Sequence, residues 1–326
     1  MIDLSLLPPP DVVTTPEFET IYQGMLANFR LLMGDQWTAP LESDPVVKLL
    51  EVAVYQKLIG LARVNDAAKA SLLAYARGAD LDNRAADYGV QRLTLIPADP
   101  DAVPPVAAVM ESDSALRYRT RLSLEALSVA GSRGAYEYHG LSASASVASV
   151  SVDSPRFSGV AVPDAVRAQL PAGAFVLVCD YDAGLANPLP GDVSLAVLPR
   201  VDSQESPEHL VDLVQAALSA ESVRPITDRP RSQLGQPVDF KVVATLELES
   251  GPEPSVVKKA ARASLDAALA KARDLEGELS LSAIYAALHV SGVRKVDLVQ
   301  PANGLECDKR HYPNCTAVEL GTRVVA

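Results

Sequence analysis

The stretch "SVAGSRGAYEYHGLSASASV", residues 128–147, holds the residue types of a hydrolytic site. Ser132 would be the nucleophile and His139 its base, with Tyr136 and Glu137 beside them, the arrangement that activates a hydroxyl for acyl transfer. The spacing speaks against it. A nucleophile elbow places G-x-S-x-G on a strained turn after a strand, whereas Ala130-Gly131-Ser132-Arg133-Gly134 follows a helical pattern. Ser132 reads as the N-cap of a helix running to about Ala145, with Tyr136 and His139 one turn apart on one face. Ser132 and His139 then stand about 10 Å apart along the axis, beyond proton-transfer reach. A cytosolic hydrolase using Ser132 and His139 is the alternative that this geometry disfavours.

The remaining chemistry-bearing residues are sparse. His209 falls in the first turn of a helix, and His289 ends an apolar run before Gly292. Cys307, His311 and Cys315 make three possible ligands in "CDKRHYPNC", but a closed zinc site takes four, with paired cysteine spacing. A surface loop is expected there. Carboxylate pairs at Asp80/Asp82 and Glu276/Glu278 adjoin glycines in turns, without the apolar pocket that a raised pKa requires. Neither a dinucleotide fingerprint nor a phosphate-binding G-x-x-x-x-G-K-[ST] loop occurs. No catalytic, cofactor-binding or metal-binding residue is therefore assigned, and no cofactor is expected.

Bulk properties narrow the partners. The chain has 41 acidic against 29 basic residues and a formal charge of −12, the wrong sign for a phosphate-backbone binder. Arginines at 117, 119 and 121 spread over several helical faces and read as a solvated or pairing surface. A second basic group lies at Arg224, Arg229 and Arg231. Three cysteines form no even-numbered disulfide framework, which suits a reducing compartment. The opening "MIDLSLLPPPDVV" has no basic region or long apolar stretch, so synthesis and retention in the cytosol are expected. No run approaches the roughly twenty apolar residues of a membrane span.

The first part of the chain reads as helical. In "TTPEFETIYQGMLANFRLLMG", Thr15 is the expected cap and Pro16 the first helical residue, with Phe18, Ile21, Met25, Phe29 and Leu32 on one face. A longer helix starts at Pro45 behind an acidic cap. It is expected to reach Ala76, on the order of 45 Å, with Val47, Leu50, Val54, Leu58, Leu61, Ala68 and Leu72 aligned. A second apolar set (Val46, Leu49, Ala53) widens the stripe, so the helix is expected to pack in a bundle with partners. The proline-rich "IPADPDAVPPVAAVMESD" is a fixed connector. A helix with Leu116, Thr120, Leu124 and Leu127 on one side follows it.

From Val147 the period changes to two. "VASVSVDSP", "GAFVLVCD" and "GDVSLAVLPR" read as strands, and "SPEHLVDLVQAALSAE" as a helix capped by Ser206. "SVRPITDRP" closes this unit. "QPVDFKVVATLELESGP" opens a second, with Phe240, Val242, Ala244, Leu246 and Leu248 on one face. Helices at "SVVKKAARASLDAALAKAR" and "LSLSAIYAALHV" and strands at "VRKVDLVQP" and "TAVELGTRVV" complete it. The expected class is α+β: a helical N-terminal arm or bundle followed by two small α+β sandwich domains. The expected divisions are 1–94 helical, 95–146 connector and helices, 147–229 first α+β domain and 230–326 second.

Several of these segments are specific in combination. "DPVVKLLEVAVYQKLIGLARVNDAAKASLLAYARGADLDNRAADYGVQRL" comes first, then "VMESDSALRYRTRLSLEALSVAGSRGAYEYHG", "VRPITD" and "LSAIYAALHVSGVRKVDLVQP". In this order, over nearly the whole chain, they resemble the baseplate J family of contractile-tailed phages and related tailocins. The resemblance implies a structural wedge protein of the tail baseplate, assembled in the bacterial host cytoplasm, that performs no catalysis. Its implied partners are a second copy of itself and a third wedge protein, met through N-terminal helices. Other wedge components (tail-protein-I-like and small lysozyme-like), neighbouring wedges, and hub or sheath would follow. Neither nucleic acid nor membrane insertion is implied. The wedges would ring the central hub, and ring expansion would trigger sheath contraction. On this reading Val47, Leu50, Val54, Leu58, Leu61, Ala68 and Leu72 are candidate bundle-interface residues. Ile284, Tyr285, Leu288 and His289 are candidates for ring contacts. One departure from the family pattern is an insertion at about 160–190, expected as a hairpin decorating the first α+β domain.

Overall fold

Asp44 and Pro45 show how the local rules operate. The Asp44 carboxylate accepts the Val46 N–H at 2.8 Å while Pro45 occupies the first helical turn, where its missing N–H costs nothing. The computed structural model describes all residues except 1–3, 9, 11–14, 16, 35–40, 129, 250–252 and 325–326. The chain divides into two compact units, residues 1–92 with 112–121, and residues 93–111 with 122–326.

The first unit contains α1 (Phe18–Met33), α2 (Pro45–Ala70), α3 (Gly78–Ala86) and most of α4 (Asp113–Leu122). Helix α1 begins with Glu17 as its cap, so Thr15 lies upstream of the helix, and Pro16 falls outside the described residues. Phe18 joins α1 to α2 through Tyr55, with ring centroids 5.2 Å apart. Leu26 is buried, whereas Leu32, expected on the inner face, is exposed. Helix α2 stops at Ala70, short of the expected Ala76. The Ser71 hydroxyl donates to Ala68 O at 2.8 Å, and Arg117 captures the carbonyls of Leu73 and Ala76 at 2.8 and 2.6 Å. Arg119 is buried and donates to Gln91 O. Two of the three alternating arginines therefore hold loop carbonyls, Arg117 in the turn after α2 and Arg119 in the segment after α3, so that these acceptors keep donors. Arg92 bridges Asp82 and Asp113 at 2.7 Å each. Burial alone would raise the Asp113 pKa, but the Gly78 N–H and Arg92 hold it below the usual range. In α4, Leu116 and Thr120 are buried as expected. Leu124 and Leu127 are exposed, because the α-helix ends at Leu122 and a short 3-10 turn redirects them.

The second unit carries the sheets. β1 (Thr94–Ile96) and β2 (Val109–Met110) pair across the proline-rich connector. The first three-stranded sheet has the order β3 (Val147–Asp153), β6 (Asp192–Pro199), β7 (Arg229–Leu234). Helices α5 (Arg133–Ala143) and α7 (Pro207–Ser219) pack on it around Leu195, Val197, Leu210, Val214 and Leu218. The expected boundary at 229/230 falls inside this sheet, since β7 runs parallel to β6 from the Asp192–Arg229 pair onward. Between β3 and β6, β4 (Arg156–Val160) and β5 (Val176–Tyr181) form an antiparallel hairpin with a short α6 (Asp164–Arg167) between them. The second three-stranded sheet has the order β10 (Val293–Gln300), β8 (Gln236–Leu248), β12 (His311–Val324). Val242, Ala244, Leu246 and Leu248 of β8 are buried under α8 (Pro254–Ala272) and α9 (Leu281–Leu288). Two-residue strands β9 (Glu278–Leu279) and β11 (Leu305–Glu306) pair beside them.

Strand β6 explains the near-continuous apolar run "VSLAVL". Leu195 and Val197 face the helices, while Ala196 and Leu198 pack on Leu275, Ala148 and Tyr312. Both faces are covered, so alternation gives way to an all-apolar strand. The two α+β halves are also tied by Ser151 to Glu276 at 2.7 Å, Lys309 to Asp153 at 2.7 Å and Arg273 to Pro199 O at 3.1 Å.

Candidate functional site

At the opening segment the structure builds a joint. Ser132 caps α5, its Oγ accepting the Ala135 N–H at 3.3 Å. Tyr136 points inward, buried, and its hydroxyl donates to Asp228 Oδ2 at 2.7 Å. Burial and the Asp228 charge push the phenol well above its ordinary range, so it stays a protonated donor. Arg224 closes the turn by donating to Asp228 O and Ser219 O. Gly131 must be glycine: its φ is +73°, and a Cβ would lie 2.8 Å from Asp228 Oδ2 and 2.9 Å from Pro225. His139 is half-buried against the Tyr138 ring at 5.2 Å, and burial lowers its pKa, favouring the neutral imidazole. The expected cap and aromatic face are present. The hydroxyl, phenol and imidazole each serve local packing, and they do not converge.

A second polar centre sits at the start of β6. The Asp192 side chain is fully buried, meeting Arg229 at 2.5 Å, Arg231 at 3.2 Å and the Leu189 N–H at 2.8 Å. Burial would raise its pKa, but these three donors hold the carboxyl below the usual range. Asp153 is a third centre, accepting from Tyr181 at 2.5 Å and Lys309 at 2.7 Å. It too is held low against the opposing effect of burial. Both acids are saturated by donors, an architectural use of charge rather than a proton-transfer one.

Other candidates disperse. Cys179 is exposed, Cys307 buried and Cys315 half-buried, while His311 pairs with Asp308 at 2.5 Å. Among the described residues, no group of three or more His, Cys, Asp or Glu side chains is placed to hold a metal. Asp82 is used by Arg92, and Glu276 accepts from Ser151. Among the described residues, no helix is long and apolar enough to cross a membrane.

The surfaces are more informative. On α2, Val47 and Val54 are buried, Leu50, Leu58, Leu61 and Ala68 are half-buried, and Leu72 lies in the turn beyond the helix. Part of this stripe is therefore covered within the chain. The opposite side of α2 is open, with Leu49 69%, Val52 56% and Ile59 47% exposed. Those apolar residues are the missed ones; Leu49 was legible as part of the wider stripe, but only packing shows which side turns outward. Among the ring-contact candidates, Ile284 and Leu288 fill the core beneath α9 and are unavailable. Tyr285 and His289 are exposed.

The matches to known proteins follow this architecture. Residues 42–99, spanning α2 and α3, match the Baseplate J-like N-terminal domain. Residues 240–321, spanning most of the second sheet and its helices, match the Baseplate J-like protein C-terminal domain. Baseplate protein J of Escherichia phage P2 is 39% identical over 328 residues, covering 99% of this chain and 98% of that protein. The chain belongs to the baseplate J family. Membership supports a structural role in a phage tail baseplate, and the two matched domains correspond to the helical unit and the second α+β half. In this baseplate J family chain, the segment joining the matched domains holds the Ser132–Tyr136–Asp228 joint and the arm formed by β4 and β5.

Proposed function

We propose that this chain is a wedge protein of a contractile-tail baseplate, linking wedges into a ring around the hub and coupling ring expansion to sheath contraction. Similarity to a baseplate protein along essentially the whole chain carries the reading. The saturated polar centres agree with it, since they suit a load-transmitting body and no catalytic step. The helical region to about residue 94 would enter the wedge bundle, with residues 95–146 as connector and the α+β domains facing ring neighbours. The exposed Leu49, Val52 and Ile59 would meet partner helices, and Val47, Leu50, Val54, Leu58, Leu61, Ala68 and Leu72 would hold α2 in shape behind them. Tyr285 and His289 would contribute to ring contacts. Partners would be a second copy, other wedge proteins, and hub or sheath, in a baseplate assembled in the bacterial cytoplasm.

Co-expression with the neighbouring tail genes, affinity capture and mass measurement of the complex test this. A defined complex containing this chain and at least one other tail protein is expected. Recovery of the chain alone, together with normal contractile particles from a deletion strain, would overturn it.

A further inference from the structure

The β4–β5 arm is built as if for contact. From Gly159 to Val178 most of its apolar residues point into solvent, with Phe175 78% exposed and Leu177 and Val178 also open, while Val162 and Leu170 are half-buried. A two-stranded hairpin bare on both faces is marginal in water. Its base is anchored by Tyr181 on Asp153 and by Arg156 stacked 4.8 Å over the Tyr181 ring. Between residues 157 and 178 only Asp164 and Arg167 ionise, so the arm carries no net charge in a chain of −12.

The same chain holds a complementary surface. β12 pairs with β8 on one side, and among the described residues no strand pairs with its other side. Helix α8 runs beside it and leaves a groove of about 840 Å³ lined by Phe240, Leu269, Tyr312, Thr316 and Val318. The groove continues past Arg262 and Val318 into a second depression at Lys258, Leu320 and Gly321. The edge is only lightly guarded: Arg262 donates to Val318 O at 3.4 Å. By contrast, Gln215 clips the edge of β7, bonding Ser232 N and Pro230 O at 2.7 and 2.8 Å. Along the groove Arg200, Lys258, Arg262 and Arg273 nearly balance Glu205, Asp266 and Glu319. Two copies of a −12 chain meet with little mutual repulsion where both surfaces are close to neutral, and arm and groove both are.

We propose that the β4–β5 arm of one copy adds to the β12 edge of a second copy, with its apolar side chains seated in the groove beneath α8. Strand addition supplies the backbone hydrogen bonds and the groove supplies the apolar pockets. The six residues of β5 span about 20 Å, shorter than the run of β12 that lines the groove. Arm and groove are different surfaces, so the contact is reciprocal in a closed pair or head-to-tail in a ring. It is a property of the purified chain, so its failure would leave the baseplate role standing.

The test uses the full chain with Thr316→Cys in the groove and the native Cys179 on the arm. Isotopically labelled and unlabelled copies are mixed at about 100 µM and treated with a short bismaleimide. A cross-link joining Cys179 of one copy to position 316 of the other is expected. Phe175→Asp with Leu177→Asp, both at exposed sites, should reduce that product at least about tenfold and leave the circular dichroism unchanged. Cross-links between two Cys179 residues only, cross-links only within one copy, no cross-link, or a yield insensitive to the arm charges would each overturn the proposal.

Discussion

The Tyr136 hydroxyl donates to Asp228 Oδ2 at 2.7 Å, joining the first turns of α5 to the turn before β7 across 92 residues of sequence. Gly131 makes room for that carboxylate, and Arg224 holds the turn from behind. Tyr136→Phe removes a hydrogen bond to a charged acceptor and should cost about 1.5–3 kcal/mol. Gly131→Ala combines a positive φ with a close approach and should cost about 1–3 kcal/mol. Urea midpoints at unchanged slope would measure both; no change in either would mean that the joint is not formed.

Ser132→Ala should lower stability by about 1 kcal/mol through loss of the α5 cap. Combined with His139→Ala, it should leave particle assembly and infectivity intact. A loss of infectivity in well-assembled particles would revive a catalytic role for the pair.

Acid should weaken the second unit through Asp192 and Asp153. Both carboxyls titrate below their usual range when folded, so the unfolded chain binds more protons in that interval. Their stabilisation is complete above the ordinary aspartate value, about 4, and is lost as pH falls through the lowered folded values. Asp192→Asn should cost about 2–4 kcal/mol at neutral pH and flatten the acid limb of a pH–stability curve. An unchanged acid limb would remove Asp192 from the account.

Charges on α2 should act differently on its two sides. Val54→Asp with Leu58→Asp places a carboxylate at a fully buried site and should unfold the helical unit. Leu49→Asp with Ile59→Asp should keep the unit folded, by circular dichroism, while abolishing capture of other tail proteins. Normal capture by the second variant would exclude the open side as the interface.

Much of the fold is legible from period and capping. Asp44-Pro45, Ser132, Ser206-Pro207 and the alternating face of β8 each announce an element whose inner residues the structure buries. The end of α2 is not legible, because the turn that follows it is held by Arg117, more than 40 residues later, through the carbonyls of Leu73 and Ala76. The same cause hides the true edge of the first sheet: β7 contains Pro230, and its place beside β6 rests on Arg229 and Arg231 reaching Asp192.

For the candidate site, the sequence alone determined that Ser132 is a cap and that α2 is apolar on more than one side, since spacing sets which residues share a helix face. It also carried the family resemblance in the order of its motifs. Only tertiary structure decided which side of α2 stays open, that Ile284 and Leu288 belong to the core, and that Tyr136 meets Asp228. Local spacing orients side chains about one element's axis, but burial and pairing depend on which distant segment arrives against that element.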